Sequence, residues 1–248
     1  MAYYDFLNII FAPLLKIPSL FAVILLSFLV SITVIIITKY TTDQVLMKKL
    51  RDEIKEHQTQ VKAHKNNPAK AMEIQKKAME SNMKYMMHSL KPTLITFIPI
   101  IFLFGWIGSA FAYESIKPQQ EFSVRVFLEK NANGNIELNI PEGIKIIGNK
   151  TKKIEDAKAS WDLKGNEGDY ILEFAYNSEK QQKNVLITSS EKYIEPEKKT
   201  EGLIKLIQID YKPKKILNLF GWKLGWLGTY ILSSILFTMG LRKLLKVY

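Results

Sequence analysis

The chain has 248 residues, enough for one or two domains, and carries a formal charge of +11 with no cysteine. Without cysteine there are no disulfides, and the redox compartment cannot be read. The hydrophobic share of 47% is ordinary in amount, but it is gathered into charge-free blocks that a soluble amphipathic helix, with polar positions on every turn, does not show.

Residues 1–16 are expected to form an interfacial segment on the outer membrane surface. No charge falls between Lys16 and Lys39, so residues 17–38 form a run of 22 apolar and small residues. A bilayer core of about 30 Å needs roughly 20 helical residues, and this run is read as the first transmembrane helix. It lacks a basic leader and a small-residue cleavage site after its apolar core, so it is not read as a cleaved signal peptide.

Residues 39–91 read as a cytoplasmic antiparallel coiled-coil hairpin. In its first arm Met47, Leu50, Ile54, His57, Val61 and His64 follow steps of three and four. The sequence KNNP marks a turn, with Pro68 opening the second arm. There Met72, Met79, Met83, Met86 and Leu90 continue the rhythm, broken at Lys76, and are expected on the same seam. Met87 falls off it. Two roles are open to these methionines. They fill the seam, or, as unbranched and polarizable side chains, Met83, Met86 and Met87 repack around varied apolar segments at the base of the hairpin.

The second charge-free run, 92–113, reads as transmembrane helix two, with Pro92 in its first turn and Pro99 expected to kink it. Residues 114–215 then alternate in short period-two runs such as EFSVRVFLE, NIELNI, YILEFAY and LIKLIQI, separated by Gly/Asn turns. This pattern predicts an all-β sandwich-like domain of about seven strands, with Trp161 in its core. Asn149 heads its one glycosylation sequon, NKT. Residues 216–241 are read as an interfacial segment and transmembrane helix three, and 242–248 as a cytoplasmic tail.

Lysine placement orients the chain. Between residues 38 and 91 there are 12 Lys/Arg against 6 acids, whereas 114–215 is nearly balanced, with 18 against 17. Basic loops stay in the cytoplasm. The expected topology is therefore N-terminus outside, hairpin inside, β domain outside and C-terminus inside, in the plasma membrane. The net charge then reflects topology and attraction to anionic lipid, and DNA is not an expected partner.

No enzyme signature is present: no phosphate-binding glycine loop, no GxSxG and no HExxH. The three histidines, His57, His64 and His88, lie in or beside the hairpin. A His57–His64 metal pair is a weaker reading than seam positions, so no metal or cofactor is expected. No ionisable residue lies within a span, which argues against a transporter. What remains is hydroxyls. Ser31, Thr33, Thr38, Thr93, Thr96, Ser233, Ser234 and Thr238 fall in the cytoplasmic halves of the three spans. They either satisfy and join helices or line a half-depth groove that shortens the path of a polar tail across hydrocarbon.

The basic hairpin closed by NNP, the run HSLKPTLITFIPIIFLFGWI and the stretch GWLGTYILSSILFTMGLRKLLKV resemble the archaeal branch of the YidC-type membrane protein insertases. The resemblance covers roughly 1–113 and 216–248. It implies an insertase or chaperone working without ATP, with a three-helix core and a hydrophilic groove open to cytoplasm and lipid. It also implies kinship with the insertase subunit of the endoplasmic reticulum membrane complex. Nascent membrane proteins, lipids and the ribosome are the expected partners. The chain departs from that pattern in lacking a groove arginine in span one and in carrying the large β domain. A membrane-anchored adaptor, binding one partner through the β domain and another through the coiled coil, is the alternative.

Overall fold

The computed structural model describes residues 5–248; of the expected interfacial segment, residues 1–4 lie outside these. The chain divides into two compact units, one made of the flanking sequence up to 107 and from 216 onward, the other of residues 108–215.

The first unit is helical. A short α1 (Asp5–Phe11) runs into a 3-10 turn (Ala12–Lys16), and then into α2 (Ser19–Thr41). Asp43 ends the apolar run and caps α3 (Gln44–Ala63), its carboxylate accepting from the Val45 and Leu46 amides at 2.9 and 3.1 Å. After the turn Asn67 caps α4 through the Lys70 amide at 3.2 Å, and Pro68 occupies the first helical position, where a missing N–H costs nothing. Later α5 (Trp226–Leu245) closes the unit. Among the described residues, α2 and α4 are long and apolar enough to cross a bilayer. The last turn of α5 holds Arg242 and Lys243, and that helix is not among them.

Two expectations are corrected here. Pro92 does not open a separate helix: α4 is a single helix from Pro68 to Phe111, with Pro92 and Pro99 inside it. At 44 residues it is about 66 Å long. The second correction concerns its seam. The first arm is as expected, with Met47 and Leu50 buried and Ile54, His57, Val61 and His64 half-buried. The buried line of α4, however, runs through Ile74, Ala78 and Ser81, flanked by half-buried Ala71 and Tyr85, rather than through the methionines. Ser81 donates to the Glu53 carboxylate at 3.1 Å across the turn, which sets the arms antiparallel. The methionines of α4 turn outward instead.

α2 and α5 pack side by side in the same direction. The buried stripe of α2 is largely small or polar: Ser19, Ala22, Val23, Ser27, Ser31 and Thr38. Small residues let backbones approach where no hydrophobic force is available. The Ser27 hydroxyl lies 3.5 Å from the Tyr230 carbonyl, Phe28 meets Phe237 edge-on at 5.3 Å, and the Tyr248 amide donates to Gln44 at 3.0 Å. α4 runs the opposite way, its Phe104 ring against Trp226 and Tyr230 at 6.0 and 4.8 Å.

The second unit is an all-β domain of two antiparallel sheets. One has the order β3-β5-β1-β9-β8, from strands Ile144–Ile147, Lys158–Gly165, Phe122–Leu128, Ile204–Ile209 and Glu197–Lys199. The other is β4-β2-β6-β7, from Thr151–Lys153, Asn135–Asn139, Gly168–Tyr176 and Glu179–Ile187. Alternate residues of both, including Val124, Val126, Ile136, Leu138, Phe174 and Val185, meet in one core. Trp161 is buried there as expected, 5.6 Å from the Phe174 ring, its indole N–H donating to the Lys150 carbonyl at 2.9 Å.

Entry and exit of this domain are tied together. The Glu114 amide donates to the Lys212 carbonyl and the Lys214 amide to the Ala112 carbonyl, both at 2.9 Å. Tyr113, Tyr193 and Tyr211 meet edge-on or tilted around that junction with ring centres 5.5–6.0 Å apart. The Tyr193 hydroxyl donates to the Gly108 carbonyl at 2.7 Å. Burial pushes both the Tyr193 and Tyr211 phenols up to about 12. Because an unfolded phenol loses its proton near pH 10, the unfolded chain binds fewer protons than the folded one between about 10 and 12. Domain stability is therefore expected to hold below that window and fall within it, by on the order of 1 kcal/mol per phenol between about pH 9 and about pH 11. Chemical unfolding followed by near-ultraviolet dichroism checks this, and Tyr211→Phe should roughly halve the fall.

Candidate membrane-side cleft and methionine face

The eight hydroxyls do not share one wall. Between α2 and α4 lies a cleft of about 190 Å³, lined on α2 by Leu26, Leu29, Val30, Thr33, Val34 and Ile37, and on α4 by Thr96, Pro99, Ile100 and Leu103, with Phe11 at one end. It brings together Thr33 and Thr96 only. Both hydroxyls donate within their own helix, Thr33 to the Leu29 carbonyl at 2.8 Å and Thr96 to those of Pro92 and Thr93 at 3.0 and 3.1 Å. Their protons are thus engaged, while oxygen lone pairs remain as acceptors in an otherwise apolar surface.

The other six lie elsewhere. Ser31 is buried against α5, where the Thr238 hydroxyl donates to it at 3.5 Å. Thr38 is buried and donates to the Val34 carbonyl at 2.8 Å. Thr93 is exposed and bonds the Ser89 carbonyl at 2.8 Å. Ser234 is half-buried and bonds the Ile231 carbonyl at 2.9 Å, and Ser233 is half-buried on the same helix. Helix self-satisfaction thus accounts for most of the set. Asn149 is exposed in the turn between β3 and β4, next to Gly148 at φ +105°.

The side chains that sequence reasoning had placed in the seam make the larger surface. Met72, Met79, Met83, Met86 and Met87 are each exposed by 54–76%. The stripe does not stop at the last charge of α4, Lys91. Leu90, Leu94, Phe97 and Ile101 follow Met86 at steps of four, four, three and four, and all are exposed by about half or more. One face of one helix is thus uncovered from Met72 to Ile101, and apolar along it except at Lys76. The signal was present in the sequence as a heptad rhythm crossing Lys91, hidden by treating Pro92 as a boundary.

Of the hairpin's charges, exposed Lys76 falls on the stripe itself, between Met72 and Met79. Glu73 pairs with Lys77 at 2.8 Å, which lowers the carboxyl and raises the ammonium from their ordinary values. Both are solvated, so the pair adds little. Among the described residues no group of three or more His, Cys, Asp or Glu is placed to hold a metal ion.

Comparison with known proteins bears on the helical unit. Residues 8–127 match the family model described as integral membrane protein EMC3/TMCO1-like. The match takes in α2, α3, α4 and the first strand of the β domain, including the cleft and the methionine face. No curated protein and no solved structure matches the chain. The family has a general role connected with membrane-protein insertion, with client proteins and lipids as its contacts. Residues 8–127, just under half of the chain's length, are thus similar to the EMC3/TMCO1-like integral membrane family, which lies within the superfamily of the YidC-type insertases.

Proposed function

We propose that the protein helps hydrophobic segments of nascent membrane proteins enter the bilayer, by binding and guidance rather than by covalent chemistry or nucleotide hydrolysis. The observation that carries this reading is the exposed apolar stripe of α4, broken once, at Lys76. Twenty-four residues, 68–91, precede its apolar part and project about 36 Å. Methionines left in water there have no partner of their own. A passing apolar helix supplies one, each fully buried side chain contributing about 1.5–3 kcal/mol. Flexible thioethers repack around many sequences, as a general client surface must. The segment then meets leucine, phenylalanine and isoleucine on the same face as it descends.

The α2–α4 cleft offers a second, narrower surface. Its Thr33 and Thr96 oxygens can accept hydrogen bonds from backbone N–H groups that have not yet closed into a helix, which matters where no water competes. In this reading α5 is a third span. It lies alongside α2 in the same direction through Ser27–Tyr230 and Ser31–Thr238, so the two helices share one medium. The basic hairpin, net +6 between residues 38 and 91, faces the cytoplasm and suits contact with the ribosome, and the β domain faces outward from the plasma membrane. The β domain lies almost wholly beyond the family match, which leaves room for a second role as an adaptor for an outer partner.

Two outcomes test this. In proteoliposomes of the purified protein, replacing Met79, Met83 and Met86 with Gln should lower insertion of a single-span client, scored by protease protection, roughly tenfold, with helix content unchanged. Insertion at the parent level would remove α4 as guide. For topology, the absence of native cysteine allows single probes. Asn149→Cys should react with an impermeant maleimide in intact cells, and Lys65→Cys only after permeabilisation. The opposite pattern would invert the assignment.

A further inference from the structure

Between the β domain and α5 stands an element that the insertion reading does not use. β10 (Leu217–Leu219) and β11 (Trp222–Leu224) form an isolated two-stranded antiparallel hairpin, paired Leu217 to Leu224, Asn218 to Lys223 and Leu219 to Trp222. Its two turn residues, Phe220 and Gly221, have φ of +51° and +95°. A tight turn of that kind suits Asn-Gly, because a bulky side chain with positive φ is strained. The Asn218 side chain secures it by accepting from the Gly221 amide at 3.0 Å. The result is that Phe220 is wholly exposed, at 108%, and Trp222 is exposed by 70%. A ribbon this short is marginal in water, and this one holds its two aromatic rings where no protein covers them.

Its base is fixed on α5. The Ile216 amide donates to the Leu224 carbonyl at 2.8 Å, Gly225 precedes the helix, and Trp226 begins it. The Leu224 side chain packs over Gly228, so that a Cβ there would sit 3.2 Å from Leu224 Cδ2. The hairpin therefore belongs to the first turn of the helix. Lys223, next to Trp222 in the strand, is exposed as well. Uncovered aromatics with a lysine beside them in the strand, at the start of an apolar helix, have the chemistry of the bilayer interface, where rings sit at headgroup depth and ammonium groups meet phosphate.

We propose that the β10–β11 hairpin inserts Phe220 and Trp222 into the interfacial layer of the leaflet at the start of α5, anchoring that helix at its outer end. The occupant of this surface is phospholipid. The proposal rests on α5 spanning the membrane, so the experiment reports on both. Full-length protein carrying one environment-sensitive fluorophore, at Lys223→Cys, Leu236→Cys or Asn149→Cys, is reconstituted into phosphatidylcholine–phosphatidylglycerol vesicles containing lipids with a nitroxide at shallow or deep positions. The expected result is deep quenching at 236, shallow quenching at 223 and none at 149. Adding Phe220→Asn and Trp222→Ser, which keeps an Asn-Gly turn, should reduce quenching at 223 several-fold. Quenching at 223 no greater than at 149, or unaffected by loss of the two rings, overturns the anchor while 236 still reports a span. Absence of quenching at 236 overturns the anchor and the three-span reading together.

Discussion

Helix α4 stays helical through Pro92 and Pro99, and most of what the helical unit offers depends on that continuity. Each proline removes one backbone donor and strains the turn before it, a cost of about 3 kcal/mol in an ordinary helix interior. The carbonyls of His88 and Ile95 lose their helical partners in consequence. Hydroxyls of the same stretch brace the adjoining turns: Ser89 donates to the Met86 carbonyl, Thr93 to that of Ser89 and Thr96 to that of Pro92. Had the helix broken at Pro92, the methionine face and the apolar face below it would have pointed in unrelated directions. Because it does not break, a single rotation angle governs both. The same angle sets Ile74, Ala78 and Ser81 on the opposite side, toward the buried seam.

Continuity of α4 also explains how a domain of about a hundred residues is tolerated between it and α5. The chain leaves and returns through segments joined by two backbone hydrogen bonds, Lys214 to Ala112 and Glu114 to Lys212, with three tyrosines around them. A domain whose two ends are held side by side can be inserted at a connection without pulling the flanking elements apart. Its core is made from its own two sheets, which fits a separately folded addition to the helical unit.

Much of this architecture was legible in the sequence. Charge-free runs located α2 and the lower part of α4, the three-four rhythm located the α3 seam, and period-two alternation located the long strands of the β domain. What failed has physical causes. Strands β3, β4 and β8 have only three or four residues, too few for alternation to register. The three-four rhythm of the methionines predicts them in the α4 seam, whereas the buried line runs through Ile74, Ala78 and Ser81, because a rhythm gives the spacing of a face and not which face is covered. Hydroxyl positions could be read but not their faces, and the cleft gathers Thr33 and Thr96 while Ser31 and Thr238 turn toward each other instead. The β10–β11 hairpin was invisible because Phe220-Gly221 is not the residue pair its turn favours.

The central claim is that clients travel along α4. The most direct measurement is site-specific photocrosslinking to stalled ribosome–nascent chain complexes, with the photoreactive residue at Met86 or Phe97 on the stripe and at Ala78 on the buried seam. The account predicts adducts with apolar nascent segments at Met86 and Phe97, none at Ala78 and none with a soluble nascent chain. Adducts absent from both stripe positions, in a chain correctly folded in its membrane, would contradict it.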